Sequence, residues 1–297
     1  FFYRLAIHSG PFIDFVFPPV GQPGASGKFT LYGRNLPGGK PVDGMQVDGN
    51  GLEMVEVDIA MPGDEAARQR LGMSSFTLPL EGVVRSMSYQ LTSPQGASNS
   101  VDIGFASAPV VVEADENDSP EKAQAISVPC EYAGQFYPRG DADWVQFEAK
   151  QGDVFWVEVL SHRLGLPTDP VLTIQQVTKK EGGEESVSQV ATNDDFDPPQ
   201  NSNTPQMFSM NNRDPRQRFE AKADATYRIG VTDLYSQSRG DPRMVYRLIV
   251  RKAVPDFQVL AFNDGTTPAN NQLAASGLAL RRGETAGLTV NVERQDG

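Results

Sequence analysis

Six oxygen-bearing side chains fall in two short runs: Glu113, Asp115, Asn117 and Asp118 in the first, Asp141 and Asp143 in the second. A calcium ion takes six to eight oxygens at about 2.3–2.6 Å from carboxylates, amides, backbone carbonyls and water, and these side chains suit it. Extended backbone sends alternate side chains to one side. Glu113, Asp115 and Asn117 therefore form one comb and Asp141 and Asp143 another, and the two combs can face each other. The five carboxylates among these six residues place −5 in one region, a charge that only cations, solvent or protonation relieve. One or two calcium ions would offset most of it. The plainer alternative is a solvated acidic linker followed by ordinary turn aspartates, as charge runs commonly are. The spacing lacks an EF-hand's twelve-residue loop and its glycine, so the expected site is built from two separate segments.

Little else in the chain offers reaction chemistry. His8 and His162 are the two histidines, too few for a multi-histidine zinc centre and little general-base capacity near neutral pH. No Gly-x-Ser-x-Gly elbow, His-Glu-x-x-His helix or phosphate-cradling glycine loop occurs, and the expectation is a chain that is not an enzyme. A second acidic run, Asn193, Asp194, Asp195 and Asp197, reads as a solvated turn. Arg-Gly-Asp occurs at 139–141 and again at 239–241, in both cases as turn residues. Cys130, the sole cysteine, excludes an internal disulfide and reads as a buried apolar side chain. With 26 basic and 38 acidic residues the net charge is −12, and no basic stripe could track a nucleic-acid backbone.

The elements that must position these residues are strands. Glycine and proline are frequent, at 28 and 22 of 297 residues, and short apolar alternations recur between turns. Trp144 to Phe147, Val154 to Val159, Val171 to Val177, Tyr227 to Val231 and Tyr246 to Val250 each read as a sandwich strand. Phe155 and Trp156 must point to opposite faces of their sheet, leaving one of them outside the core. Two short helices are expected, one inserted at 62–71 and one after the acidic run, where Asp118 or Ser119 can cap a helix starting at Pro120. No apolar stretch approaches the roughly 20 residues that cross a bilayer, and both ends read as cuts in a longer polypeptide.

Residues 11–36 run strand, proline-glycine turn, strand and glycine corner, with Phe29-Thr30-Leu31 and Gly33-Arg34-Asn35-Leu36 at their end. This pattern, with the hairpin sequence Thr92 to Asn99, resembles the TIG (IPT) immunoglobulin-like domain and covers about residues 11–109. Further on, Glu113-x-Asp115-x-Asn117-Asp118-Ser119, Gly140-Asp141-x-Asp143-Trp144-x-x-Phe147, Asp169-Pro170-Val171-Leu172, Asn193-Asp194-Asp195 and Ala225-Thr226-Tyr227-x-Ile229-x-Val231 follow in order. They resemble the bacterial pre-peptidase C-terminal domain, a jelly-roll-like sandwich of secreted proteins.

Together the two resemblances imply an all-β chain of tandem β-sandwiches, an Ig-like one at 1–109 and a jelly-roll-like one at 110–253; beyond them, Phe257 to Phe262 and the alternating Leu288-Thr289-Val290-Asn291-Val292 read as the start of a third β domain at 254–297. In collagen-binding members of the second family the matching acidic linker and Asp-x-Asp segment hold calcium. That implies the same role for Glu113, Asp115, Asn117, Asp118, Asp141 and Asp143, although Asp115 stands where glutamate is usual and Glu116 where proline is common. The function expected is a non-catalytic binding or adhesion segment of an extracellular or surface-attached bacterial protein, stiffened by calcium between its modules. Its partners would be an extracellular protein, a polysaccharide or other copies of itself. Two alternatives are an accessory region of a secreted peptidase or other hydrolase, and a component of a self-assembling surface layer or filament.

Overall fold

The computed structural model describes residues 9–63, 84–94, 96–114, 116–179, 184–195, 212–263, 282–285 and 287–295. The regular elements among these residues are strands apart from two 3-10 turns, in tandem sandwiches. The chain divides into two compact units, Phe1–Phe196 with Asn212–Lys252, and Asp197–Asn211 with Ala253–Gly297.

The first sandwich uses β1 (Phe12–Phe17), β2 (Val20–Gly21), β3 (Ser26–Arg34), β4 (Lys40–Val47), β5 (Asn50–Ala60), β6 (Ser86–Ser93) and β7 (Gly96–Phe105). One sheet runs β1-β3-β5-β4 and the other β2-β7-β6. Alternation along β3 turns Phe29 and Leu31 inward, where they meet Ile13, Ile59 and Ile103 in a closed core. The Asn99 side chain ties the sheets together: its Oδ1 accepts from Ile13 N–H at 2.7 Å and its Nδ2 donates to Ile13 O at 2.8 Å. The Gly33-Arg34-Asn35-Leu36 corner has a physical basis as well. A side chain at Gly33 would collide with the Phe12 carbonyl, and Asn35 takes the left-handed conformation, φ 53°, that asparagine tolerates.

The second sandwich contains β8 (Val110–Val112), β9 (Gln124–Ala125), β10 (Cys130–Gln135), β11 (Ala142–Ala149), β12 (Val154–Leu160), β13 (Pro170–Lys179), β14 (Glu185–Asn193), β15 (Arg216–Glu220), β16 (Ala225–Asp233) and β17 (Val245–Lys252). Two five-stranded sheets, β15-β12-β17-β10-β8 and β14-β13-β16-β11-β9, close over one core. Phe147 meets Phe155 edge-on at 5.1 Å between ring centroids, and Phe155 stacks on Phe219 at 5.4 Å. Truncating so buried a ring costs about 3–5 kcal/mol. Phe155 and Trp156 point to opposite faces, as expected, with Phe155 the one in the core; the Arg216 guanidinium lies 4.3 Å over the Trp156 ring.

Two expectations fare differently. The helix expected at Pro120 is a single 3-10 turn, Pro120–Lys122, and Ser119 before it makes no side-chain cap bond. The chain has no room for more, because β9 joins the sheet beside β11 two residues later. The helix expected at 62–71 lies, from residue 64 on, outside the described residues. No helix among the described residues is long and apolar enough to cross a membrane.

In the second unit, β18 (Asp256–Asn263) and β19 (Leu288–Gln295) pair antiparallel, with Val259 opposite Val292. Phe257, Val259, Leu288, Val290 and Val292 are each more than half exposed. A two-stranded ribbon buries too little to be stable by itself.

Candidate metal centre

β8 is where the first sandwich leads into the second, and it is not a loose linker. It pairs in parallel with β10, Val110 beside Glu131 and Val112 beside Ala133, and the Glu113 N–H extends the ladder to Ala133 O at 3.0 Å. The ladder fixes Glu113 beside the end of β10, where its Oε2 accepts from Gln135 N–H at 2.8 Å. From the other sheet, Asp141 and Asp143 stand at the start of β11. They share the inward parity of Val145 and Phe147, so Asp143 is carried to the end of the core and is only 1% exposed. Asp141 Oδ2 accepts from Tyr137 N–H at 3.2 Å.

One carboxylate oxygen from each of Glu113, Asp141 and Asp143 lies within 4.8 Å of the other two. Asn117 is buried beside them, held by its backbone carbonyl, which accepts from Trp144 N–H at 2.9 Å, and by its Nδ2, which donates to Tyr132 Oη at 2.8 Å. Tyr246 Oη donates to Asp143 Oδ2 at 2.6 Å. The two tyrosines thus occupy one oxygen or nitrogen of each residue and leave the other end bare. Asn117 Oδ1 and Asp143 Oδ1 are both buried without a hydrogen-bond partner. Gly134 makes room for this wall, because a side chain there would collide with the Tyr246 ring.

The electrostatics are strained in the same direction. Burial, then the charges of Asp143 and Asp141, push Glu113 up to about 9. Burial, then Asp143 and Asp118, push Asp141 up to about 8. Burial also raises Asp143, to about 6, against the lowering effect of its Tyr246 bond. Three carboxylates that resist ionisation together, beside two acceptors with no donor, fit a bound cation, which satisfies the bare oxygens and favours the charged forms at once. The donors are all oxygen, a set that suits calcium or magnesium rather than a metal preferring nitrogen and sulfur.

The residues singled out in the sequence are therefore distributed unevenly. Glu113, Asp141, Asp143 and Asn117 come together. Asp118 is exposed and acts on Asp141 through its charge, while Asp115 lies outside the described residues. Tyr132, Tyr246 and Tyr137 were not anticipated; as aromatics in alternating runs they carry no signal that separates them from core residues.

The other motifs are engaged within the fold. In the second acidic run Asn193 Oδ1 accepts from Asp195 N–H at 3.2 Å, an ordinary turn bond, and Asp197 lies outside the described residues. Asp241 forms a bidentate pair with Arg243, and Gly240 packs closely on the Arg139 backbone, so the two Arg-Gly-Asp loops brace each other. Cys130 is buried, and burial raises its thiol to about 12. His162 sits in a 3-10 turn whose N–H groups are gathered by Asp214, and His8 lies outside the described residues.

No protein-family model matches the chain, and no curated protein matches it. Among the solved structures that do match is the pre-peptidase C-terminal domain of a collagenase from Bacillus anthracis. It is 17% identical, covers 46% of this chain and 100% of that one, and superposes with a TM-score of 0.30. A likeness of that strength does not bear on function, which rests on the site's own residues.

Proposed function

We propose that this chain is a non-catalytic binding or accessory segment of an extracellular bacterial protein, with sandwich domains bounded near 109 and 254 and a calcium ion at their junction. Glu113, Asp141, Asp143 and Asn117 Oδ1 would hold the ion, with water and Asp118 available to complete its shell. The observation that carries this reading is the pair of buried, donorless oxygens beside three mutually repelling carboxylates. The expected stiffening of the junction has a specific route. Tyr137, whose N–H binds Asp141, donates its hydroxyl to Gly44 O of β4 in the first sandwich at 3.2 Å. An ion that fixes Asp141 therefore also fixes a contact across the junction.

Calcium and magnesium titrations by calorimetry test the proposal. Saturable calcium binding that is lost in Asp143→Asn supports it, and absence of binding by both metals overturns it. A second reading, assembly of copies, is favoured by the exposed apolar row Phe257, Val259, Val290 and Val292. Sedimentation against protein concentration tests it, and a monomer at all concentrations would remove it.

A further inference from the structure

The junction contains a second fastening, far from the acidic cluster in chemistry and built from opposite charges. Glu131 on β10 and Arg247 on β17 are 0% and 4% exposed, on the outer side of their sheet. Arg247 Nε donates to Glu131 Oε1 at 2.5 Å. Each partner also reaches into the first sandwich. Arg247 Nη2 donates to Phe105 O at 3.2 Å, at the end of β7. Glu131 Oε2 accepts from Ser107 N–H at 3.0 Å and from Ser107 Oγ at 3.2 Å.

The fit is steric as well as polar. Gly104 gives the guanidinium its seat, since a Cβ there would collide with Nη1 and Cζ of Arg247. Around the pair, Val20 and Ala106 of the first sandwich close on Ala133 and Val110. To the side, Phe15, Val47 and Leu52 close on Val245, with Leu164 and Leu166 against them. The apolar contacts supply non-directional attraction, whereas the buried pair makes its directional bonds through Nε and Nη2 in one arrangement alone, with Nη1 left without a partner against Gly104. Any rotation of one sandwich against the other would strand two charges away from water.

We infer that the Glu131–Arg247 pair is an interdomain key that sets one fixed angle between the two sandwiches whether or not a cation is bound. Calcium then stiffens the rim through Tyr137 but does not open or close the joint. The inference does not depend on the cation site, and it predicts that the chain presents whatever it binds from a rigid two-sandwich body, not from a calcium-operated hinge.

The test is a spin-label distance across the joint in the full chain. Labels go on Lys28→Cys in β3 and Lys150→Cys after β11, both exposed; buried Cys130 does not compete for them. The expected result is one narrow distance distribution, the same with calcium and after chelation. Glu131→Gln and Gly104→Ala, on opposite sides of the seam, should each at least double its width while circular dichroism stays native. If one of the two does not fold, the other decides. A broad wild-type distribution, a shift on chelation, or a distribution that stays narrow in a folded variant would overturn the inference. Calorimetric calcium binding in the same samples separates this outcome from failure of the cation proposal.

Discussion

Tyr246 Oη stands 2.6 Å from Asp143 Oδ2, and this contact occupies one oxygen of the most buried carboxylate in the acidic cluster while leaving Oδ1 with no partner. Tyr132 does the same for Asn117, occupying its amide nitrogen and leaving its oxygen bare. Two core aromatics thus set the direction in which a pair of donors is offered. They make the site part of the core's packing, so that binding of an ion there would be coupled to fold stability.

Tyr246→Phe removes the hydroxyl but keeps the ring that packs against Phe136 at 4.6 Å. Asp143 Oδ2 then loses its donor inside the protein, at a cost of about 1–3 kcal/mol. Chemical denaturation without metal should record that loss, and calorimetry should record weaker calcium binding. Unchanged values in both would mean that Tyr246 does not orient Asp143.

Removing one charge should act in opposite ways on the two forms of the protein. Glu113, raised to about 9, must take up a proton to fold at pH 8, whereas glutamine is neutral in both states, so the metal-free Glu113→Gln protein should gain at least about 1 kcal/mol there, roughly 2–4 °C in melting temperature. The same variant should lose the further rise that calcium gives. A metal-free variant less stable than wild type would argue that the carboxylates are not in conflict.

The pH dependence follows from the sign of the shifts. Carboxylates in the unfolded chain titrate near 4, whereas Glu113, Asp141 and Asp143 are raised to about 9, 8 and 6. Between those limits the native state holds more protons than the unfolded one, so metal-free stability should fall as pH rises through this window. Protons compete with the cation, so calcium affinity should rise with pH over the same range. Denaturation midpoints at pH 5, 7 and 9, with calcium and with chelator, check both statements.

Cys130 offers an independent check on the core of the second sandwich. It is buried among Tyr132 and Val250, with its thiol raised to about 12, so a thiol reagent at pH 8 should not label the native chain. Labelling should appear on unfolding in denaturant. Rapid reaction of the native protein would place Cys130 outside the core.

The strands were legible because alternation is a property of the backbone: Val145, Phe147 and Ala149 turn inward for the reason that makes them readable two by two in the sequence. Glu113, Asp141 and Asp143 were legible by the same route, since strand parity brings oxygens on two segments to one side. What stayed hidden depends on contacts between distant residues. Glu131 and Arg247 are 116 positions apart, and nothing in either neighbourhood distinguishes a buried charge from a surface one. Tyr132 and Tyr246 look like core residues because they are core residues, and their hydroxyls matter only once Asn117 and Asp143 lie beside them. The short helix expected at Pro120 begins where Ser119 and the proline suggest but stops after one 3-10 turn, because the pull of β9 into the sheet is a tertiary effect.

A calcium ion held by the acidic cluster at the junction would tie the melting of the second sandwich to calcium. Thermal unfolding of the intact chain, followed by calorimetry in calcium and in chelator at pH 7.5, tests it most directly. At a hundredfold excess of calcium over its dissociation constant the second sandwich should gain about 2.7 kcal/mol and melt several degrees higher, and Asp143→Asn should abolish the gain. A melting profile that is the same in calcium and in chelator would contradict it.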